Sequence, residues 1–239
     1  MLNRPERRNP LSFEMMGELL EAITTLPEDA HVVVISGAGP AFSAGHDLSQ
    51  MVGADVEFLN RIFHRCTEMM EAVQAVRQPV IARVHGAASA AGCQLVAACD
   101  LAVAAETARF ATPGVNIGLF CSTPMVPVTR AIGRKRAMEM LLTGDFIDAA
   151  TAAEWGLVNR VVPEEQLDPV VDQLVDAILR SSPLIVGIGK QAFYAQIELD
   201  QHAAYDHTKA VMVANAQLED AQEGMSAFLE KRKPQWRNR

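Results

Sequence analysis

The chain has 239 residues, 49% of them hydrophobic, enough for one sizeable core or a core with a small appendage. Its formal net charge of −8 argues against sequence-independent nucleic-acid binding, which relies on Lys and Arg to displace counterions. No uncharged stretch approaches the about 20 apolar residues of a membrane span, and the most apolar region, Leu95 to Ala105, is interrupted by Asp100.

Leu11, Met15, Leu19 and Ile23 recur at every fourth residue, which predicts an amphipathic helix over Leu11 to Leu26. His31 to Ser36 (HVVVIS) is a β-branched run bounded by Asp29 and Gly37, the pattern of a buried strand. Asp55 to Val76 reads as a helix that ends before Pro79. Val80 to Val84, Leu101 to Ala105 and Leu157 to Val162 read as further strands. Asp148 stands where the N-cap of a short helix ending near Gly156 belongs. Pro163 or Glu164 opens another helix that reaches Arg180, and from Pro183 onward the chain reads as helix alone. Alternating β and α followed by a helical tail predicts an α/β fold. The boundary falls at Ser181-Ser182-Pro183, giving a core over 1–182 and a helical region over 183–239.

Two segments carry the chemistry: Ala41-Phe42-Ser43-Ala44-Gly45-His46-Asp47-Leu48 and Gly86-Ala87-Ala88-Ser89-Ala90-Ala91-Gly92-Cys93-Gln94-Leu95. Each runs from an apolar strand into a turn of small residues that can present a backbone N–H unobstructed. Two such groups converging on one point make an oxyanion hole, which stabilises negative charge on a carbonyl oxygen. The second segment continues as an apolar helix, Cys93 to Cys99, whose N-terminal dipole adds to that stabilisation.

Cys66, Cys93, Cys99 and Cys121 form no CxxC pair, and Cys93 and Cys99 read as small buried hydrophobes. With no secretory signal, this usage points to a reducing cytoplasm. No His, Cys, Asp or Glu cluster has metal-ligand spacing. Basic residues bunch at Arg4, Arg7 and Arg8, from Arg130 to Arg136, and from Lys231 to Arg239. Such bunches can hold a phosphorylated small molecule or simply be solvated surface.

The blocks Asn3-Arg4-Pro5 with Arg8-Asn9, GAGPAFSAGHDL, PVIARVHGAASAAGCQLVAACDLAVAAETARFATP, GRKRAMEMLLTGDFIDAATAAEWGLVNRVVP and EGMSAFLEKRKPQW resemble, in order and spacing, the crotonase superfamily. This is also called the enoyl-CoA hydratase/isomerase family, and the likeness covers essentially the whole chain. Within it, Ala90 to Ala97 and FATPGVNIGLFCSTP match one subgroup almost letter for letter. The resemblance implies a crotonase-like spiral of ββα turns with a C-terminal helical region that builds trimers or dimers of trimers. It implies an acyl-CoA thioester as ligand, coenzyme A being part of the substrate and no separate cofactor being needed; nucleic-acid and membrane partners are not expected.

The same resemblance assigns the oxyanion N–H groups to His46 and to Ala91, where the family usually has Gly. It places Ala44, Asp47 and Leu48 in the substrate-binding loop, with Asp47 as an anchor of that loop. Phe228 and Lys231 match positions near the CoA adenine and phosphates, often reaching a neighbouring subunit, with the Lys acting as a point charge on phosphate.

The departures concern the acids. Family hydratases place one Glu two residues after Gly92, where this chain has Gln94, and a second directly after Pro113, where it has Gly114. Other members use an Asp or Glu eight residues beyond Gly114, where this chain has Ser122. An amide can hold a water but cannot take its proton. Each positioned acid or base contributes ~10²–10⁴ in rate, so efficient hydration is not expected. Restoring both glutamates is expected to raise the rate if the oxyanion hole is intact. A non-catalytic acyl-CoA binder stands as the alternative, as does another crotonase reaction, thioester hydrolysis or decarboxylation, with a relocated acid or base.

Candidates for that relocated group are the His46 ring, Glu71, and Glu68 paired with His64 four residues earlier on one helix face. Against them stand a His46 ring that merely packs and a solvated Glu pair. Cys121 as a nucleophile lacks an activating partner, and His85 suits a structural slot at a strand end. The family also carries a strand or hairpin ahead of the Asn-Arg-Pro motif, whereas this sequence opens at Met1-Leu2-Asn3, which leaves the first sheet edge in question.

Overall fold

The computed structural model describes residues 1–239. Two sheets share the strands. The first holds β1 (Val33–Ser36), β3 (Val80–Val84), β5 (Leu101–Ala105) and β8 (Arg160–Val162), all parallel, in the order β1-β3-β5-β8. The second holds β2 (Ala41–Ser43), β4 (Ala87–Ser89), β6 (Arg109–Ala111) and β7 (Ile147–Asp148), in the order β2-β4-β6-β7 with the last pair antiparallel. Each turn of the spiral puts one strand in each sheet and then crosses over by a helix, as parallel pairing requires. The helix is α2 (Val56–Ala75) after β1-β2, α3 (Ala91–Ala98) after β3-β4, and α4 (Met125–Ile132) after β5-β6.

In the first sheet β3 and β5 match the sequence expectation, while β1 covers only the end of the expected His31–Ser36 and β8 only the end of the expected Leu157–Val162. The second-sheet strands are two or three residues long, too short for any alternation to register. One expectation is corrected: β1 is not a buried strand. It is the edge of its sheet, paired with β3 alone, and only Ile35 within it is buried. Leu2, itself 2% exposed, partly covers that edge, donating its N–H to the Ser36 carbonyl at 2.7 Å and accepting from Ala38 at 2.8 Å.

Several helices begin at side-chain caps. Ser12 accepts from the Met15 N–H to start α1 (Phe13–Thr24), and Asp55 accepts from the Phe58 N–H to start α2. Asp148 caps α6 (Ala149–Trp155), which stops at Gly156 with φ 94°. Helix α7 (Leu167–Leu179) begins later than Pro163, because a 3₁₀ turn over Glu164–Gln166 precedes it. Helices α4 and α5 (Arg134–Thr143) were not expected from the sequence; Pro124 directly before α4 and Pro127 in its first turn hide it, at positions where a missing N–H costs nothing.

The tail comprises α8 (Pro183–Gln196), α9 (Gln201–Ala216) and α10 (Glu219–Leu229). Lys190 of α8 docks it on the core: its Nζ stands 2.7 Å from Asp100 Oδ2 and donates to the Val73 and Gln78 carbonyls. Tyr194 donates to the other Asp100 oxygen at 2.9 Å. Of residues 183–239 only Gly187, Asp220 and Ala227 are buried, while Tyr205, Met212, Val213, Phe228 and Leu229 are each more than half exposed. No helix is long and apolar enough to cross a membrane.

Candidate active site

The turn after β2 is held by its amides. Ala44 donates to the Arg8 carbonyl at 2.9 Å, Gly45 to Ser43 Oγ at 3.2 Å, and Asp47 to the Leu11 carbonyl at 3.4 Å. The His46 N–H between them has no acceptor in the protein. The turn after β4 has the same property by another route. Ala91 is the first residue of α3, so its N–H lies beyond the reach of the intrahelical ladder. Ala90 ahead of it has φ 49°, ψ −116°, a conformation that suits glycine and costs an alanine about 1–3 kcal/mol.

The two turns touch. Gly45 has φ +88°, and a Cβ on it would stand 2.8 Å from the Ser89 carbonyl and 3.1 Å from the Ala91 nitrogen. Two acceptor-free amides therefore sit on neighbouring backbone segments, with the α3 N-terminal dipole behind one of them. Unpaired amides held on adjacent segments are the elements from which an oxyanion hole is built.

Both turns border a cavity of about 620 Å³, within the usual range for small-molecule sites. Ala44, His46, Leu48 and Ala91 are among its lining residues, and Met51, Phe63, Ile117, Leu119 and Phe120 supply further large apolar side chains. None of its 18 lining residues is Asp, Glu, Lys or Arg. Sequence reasoning missed Phe63, Leu119 and Phe120; Leu119 and Phe120 lie in FATPGVNIGLFCSTP, the stretch matching a subgroup, whereas Phe63 in α2 carried no signal.

Asp47 does not line the cavity. It is 5% exposed and forms a two-pronged pair with Arg7 at 3.0 and 3.1 Å, while accepting from the Ser49 N–H and hydroxyl. Burial pushes its carboxyl up, but the Ser49 hydrogen bonds and the Arg7 charge outweigh that and hold it below the usual carboxylate range. Its place in the fold is that of a loop anchor.

The His46 ring packs edge-on against Phe63, with centroids 5.5 Å apart, and both ring nitrogens are buried without a partner. Burial pushes its pKa down, so the ring is neutral at pH 7. Its nitrogens are buried, so the ring offers the cavity no solvated base.

Gln94 is 3% exposed within α3, its Oε1 accepting from Cys66 Sγ at 3.8 Å, and it does not line the cavity. Ser122 does line it, with its hydroxyl directed to the Phe120 carbonyl at 3.4 Å. Gly114 is buried beneath the segment Leu119–Cys121. A Cβ there would stand 2.2 Å from the Leu119 carbonyl oxygen and 2.8 Å from Cys121 Sγ. The expectation that glutamate can simply be restored at this position is therefore corrected: the following loop occupies the space its side chain would need.

No relocated carboxylate enters from α2. His64 and Glu68 pair at 3.3 Å with 76% and 43% of their side chains exposed; Glu68 also meets Arg65, and Glu71 is exposed. None of these lines the cavity. Burial pushes the Cys66 and Cys93 thiols up to about 12, and it raises Cys121 despite a hydrogen bond from the Gly114 N–H. These thiols are not poised as nucleophiles. His85 Nε2 lies 2.7 Å from the Gly39 carbonyl, a structural contact. Phe228, 83% exposed, and Lys231 stand at the end of α10, away from the cavity lining of this chain.

A family model described as enoyl-CoA hydratase/isomerase matches residues 1–239. Enoyl-CoA hydratase domain-containing protein 3, mitochondrial, of Danio rerio is 48% identical over 241 residues, covering 100% of this chain and 83% of the relative. The Homo sapiens protein of that name is 45% identical, covering 99% and 79%. Among solved structures, an enoyl-CoA hydratase of Mycobacterium smegmatis superposes with a TM-score of 0.96 at 50% identity, covering 98% of this chain and 93% of that one. Human enoyl-CoA hydratase domain-containing protein 3 gives 0.95 at 45% identity, with the same coverage. The subgroup that the sequence runs resemble is thus among the relatives found. The expectation of a cytoplasmic location is corrected, because relatives at 45–48% identity are named mitochondrial. Reduced cysteines report a redox environment, and that does not single out one compartment.

Proposed function

Since the chain belongs to the enoyl-CoA hydratase/isomerase family, we propose that it binds an acyl-CoA thioester and holds the thioester carbonyl between the His46 and Ala91 amides. The carrying observation is that pair of acceptor-free amides beside an apolar cavity without a carboxylate. The amides stabilise negative charge on the carbonyl oxygen as a thioester enolate forms, and one such donor contributes about 10²–10³ in rate where it is used. Ala44 and Leu48 flank the thioester, and coenzyme A comes with the substrate.

Efficient hydration of an enoyl-CoA lies outside this reading. Gln94 cannot deprotonate water, and Gly114 offers no side chain. The site binds and polarises the thioester. Chemistry that calls for a general base requires a group from outside this chain's cavity lining.

The test is titration calorimetry with butyryl-CoA against free CoA, beside an assay of crotonyl-CoA hydration. Thioester binding with turnover at least about 10²-fold below a family member that keeps both glutamates is the expected result. A comparable kcat overturns the reading.

The same reading includes self-association as a trimer, or a dimer of trimers, in which α10 carries Phe228 and Lys231 to the CoA of a neighbouring copy. Its support is the tail itself, which keeps large apolar side chains exposed and few residues buried. Lys231 would meet phosphate as a point charge.

A further inference from the structure

We propose that Asn9 is a positioning residue of the candidate site: it fixes β2 and the turn after it so that, of the amides in that turn, the one of His46 is left to meet the thioester carbonyl. This rests on the acyl-CoA reading above and adds the residue that sets the first of its two donors.

Asn9 is fully buried, yet every polar group it carries is used. Its Nδ2 donates to the carbonyls of Ala38, Ala41 and Phe42 at 2.8, 2.8 and 3.2 Å, and its Oδ1 accepts from the Arg4 N–H at 2.8 Å. Its backbone carbonyl accepts from Ser43 Oγ at 2.8 Å, and that same oxygen accepts from the Gly45 N–H at 3.2 Å. One residue thus grips Ala41, Phe42 and Ser43 in succession and reaches Gly45 through the Ser43 hydroxyl.

The residues beside Asn9 complete the clamp. The Arg8 carbonyl accepts from the Ala44 N–H at 2.9 Å. Leu11 pairs with His46 in a parallel bridge: its N–H donates to the Gly45 carbonyl at 2.7 Å and its carbonyl accepts from the Asp47 N–H at 3.4 Å. In that pattern the residue between the two bonded peptides, His46, turns its own N–H to the opposite side. The clamp holds an unfavourable backbone to do this. Arg8 and Asn9 have φ 61° and 52°, left-handed values that residues other than glycine keep only where their surroundings over-determine them. Pro10 favours extended backbone in the residue before it, and asparagine is among the few side chains that tolerate the left-handed region. Asn9 therefore supplies both the conformation and the amide that the clamp needs.

The measurement is the absorption spectrum of cinnamoyl-CoA bound to the full chain, whose conjugated band moves to longer wavelength when hydrogen bonds draw charge onto the thioester oxygen. Calorimetric affinities for cinnamoyl-CoA and free CoA accompany it, in the parent and in Asn9→Ser, Ser43→Ala and Val171→Ala. Ser43→Ala removes one oxygen and adds no volume, so the fold is retained and this variant carries the test if Asn9→Ser does not fold. The parent is expected to show the shift. Asn9→Ser and Ser43→Ala are expected to lose most of it and to bind cinnamoyl-CoA at least about tenfold more weakly, with affinity for free CoA unchanged. Val171→Ala, a core change on the buried face of α7, lowers the urea midpoint through its own cavity and is expected to keep the full shift. A full shift in Ser43→Ala or in folded Asn9→Ser overturns the inference, as does an equal loss in Val171→Ala. In each case a parent that shifts the band and binds cinnamoyl-CoA better than free CoA leaves the thioester reading standing. A parent that fails either of those tests ends that reading and the present one with it.

Discussion

Gly45 lies directly against Ala91: a Cβ on Gly45 would stand 3.1 Å from the Ala91 backbone nitrogen and 2.9 Å from the Ala90 Cβ. The turn after β2 is thus seated on the turn after β4, and this contact ties the His46 segment to the Ala91 segment. Gly45→Ala adds the clash and places an alanine at φ +88°. The expected outcome is a stability loss of about 1–3 kcal/mol in urea unfolding, with a folded protein whose butyryl-CoA affinity falls at least about tenfold. Unchanged affinity would separate the two turns from the binding site.

Restoring the acids is expected to fail. Gly114→Glu forces Leu119 or Cys121 from its place, and Gln94→Glu puts a carboxylate at a position only 3% exposed. The double variant is expected to lose stability, by about 1–3 kcal/mol for overpacking alone, and to hydrate crotonyl-CoA no faster than the parent. A gain of about 10² or more in kcat would show that the loop moves aside readily.

Acid sensitivity follows from two buried aspartates. Asp220 accepts from the Ser182 hydroxyl and from the N–H groups of Arg237 and Asn238, tying the C-terminal tail to the α7–α8 junction. Burial pushes its carboxyl up, but those hydrogen bonds prevail and hold it below the usual range, as also happens at Asp47. A lowered folded-state pKa gives stability that is present above the unfolded value of about 3.9 and is lost as pH falls through the folded one. Urea midpoints are expected to hold between about pH 7 and pH 5 and to drop below about pH 4. Asp220→Asn is expected to shrink that drop; an identical pH profile would contradict the assignment.

The Lys190–Asp100 pair is the main polar tie between tail and core. Lys190 is 6% exposed and Asp100 16%. Lys190→Met leaves Asp100 without its cation, with an expected cost of about 3–5 kcal/mol. The double variant Lys190→Met with Asp100→Asn is expected to recover part of that loss, because no buried charge is then left unpaired. Urea unfolding of the three proteins checks both statements.

Light scattering addresses assembly. The parent is expected to run as a trimer or a dimer of trimers. Phe228→Asp with Leu229→Asp, which alter side chains 83% and 80% exposed in the single chain, are expected to weaken octanoyl-CoA binding together with assembly. A monomeric parent that binds octanoyl-CoA tightly would rule out a site completed by a neighbour.

Much of the fold was legible because its determinants are local. Val80–Val84, apolar but for Arg83, and Leu101–Ala105 are short runs bounded by Pro79, Gly86 and Asp100, a pattern that suits buried parallel strands. Asp148 and Gly156 bracket α6 by cap chemistry written into single residues. That neither Gln94 nor Gly114 carries a carboxylate is likewise a matter of residue identity.

What the sequence left open depends on which surfaces meet. The strands of the second sheet are too short to carry a period, and they exist because neighbouring turns of the spiral bring Ala41–Ser43, Ala87–Ser89 and Arg109–Ala111 side by side. Exposure of β1 follows from its place at a sheet edge, which its own β-branched residues do not encode. The orientation of the His46 ring was settled by packing on Phe63, and the closure of Gly114 by the path of a loop five residues further on. Residue type fixes what a group can do chemically; only close packing in three dimensions fixes which groups share a cavity and which space is already filled.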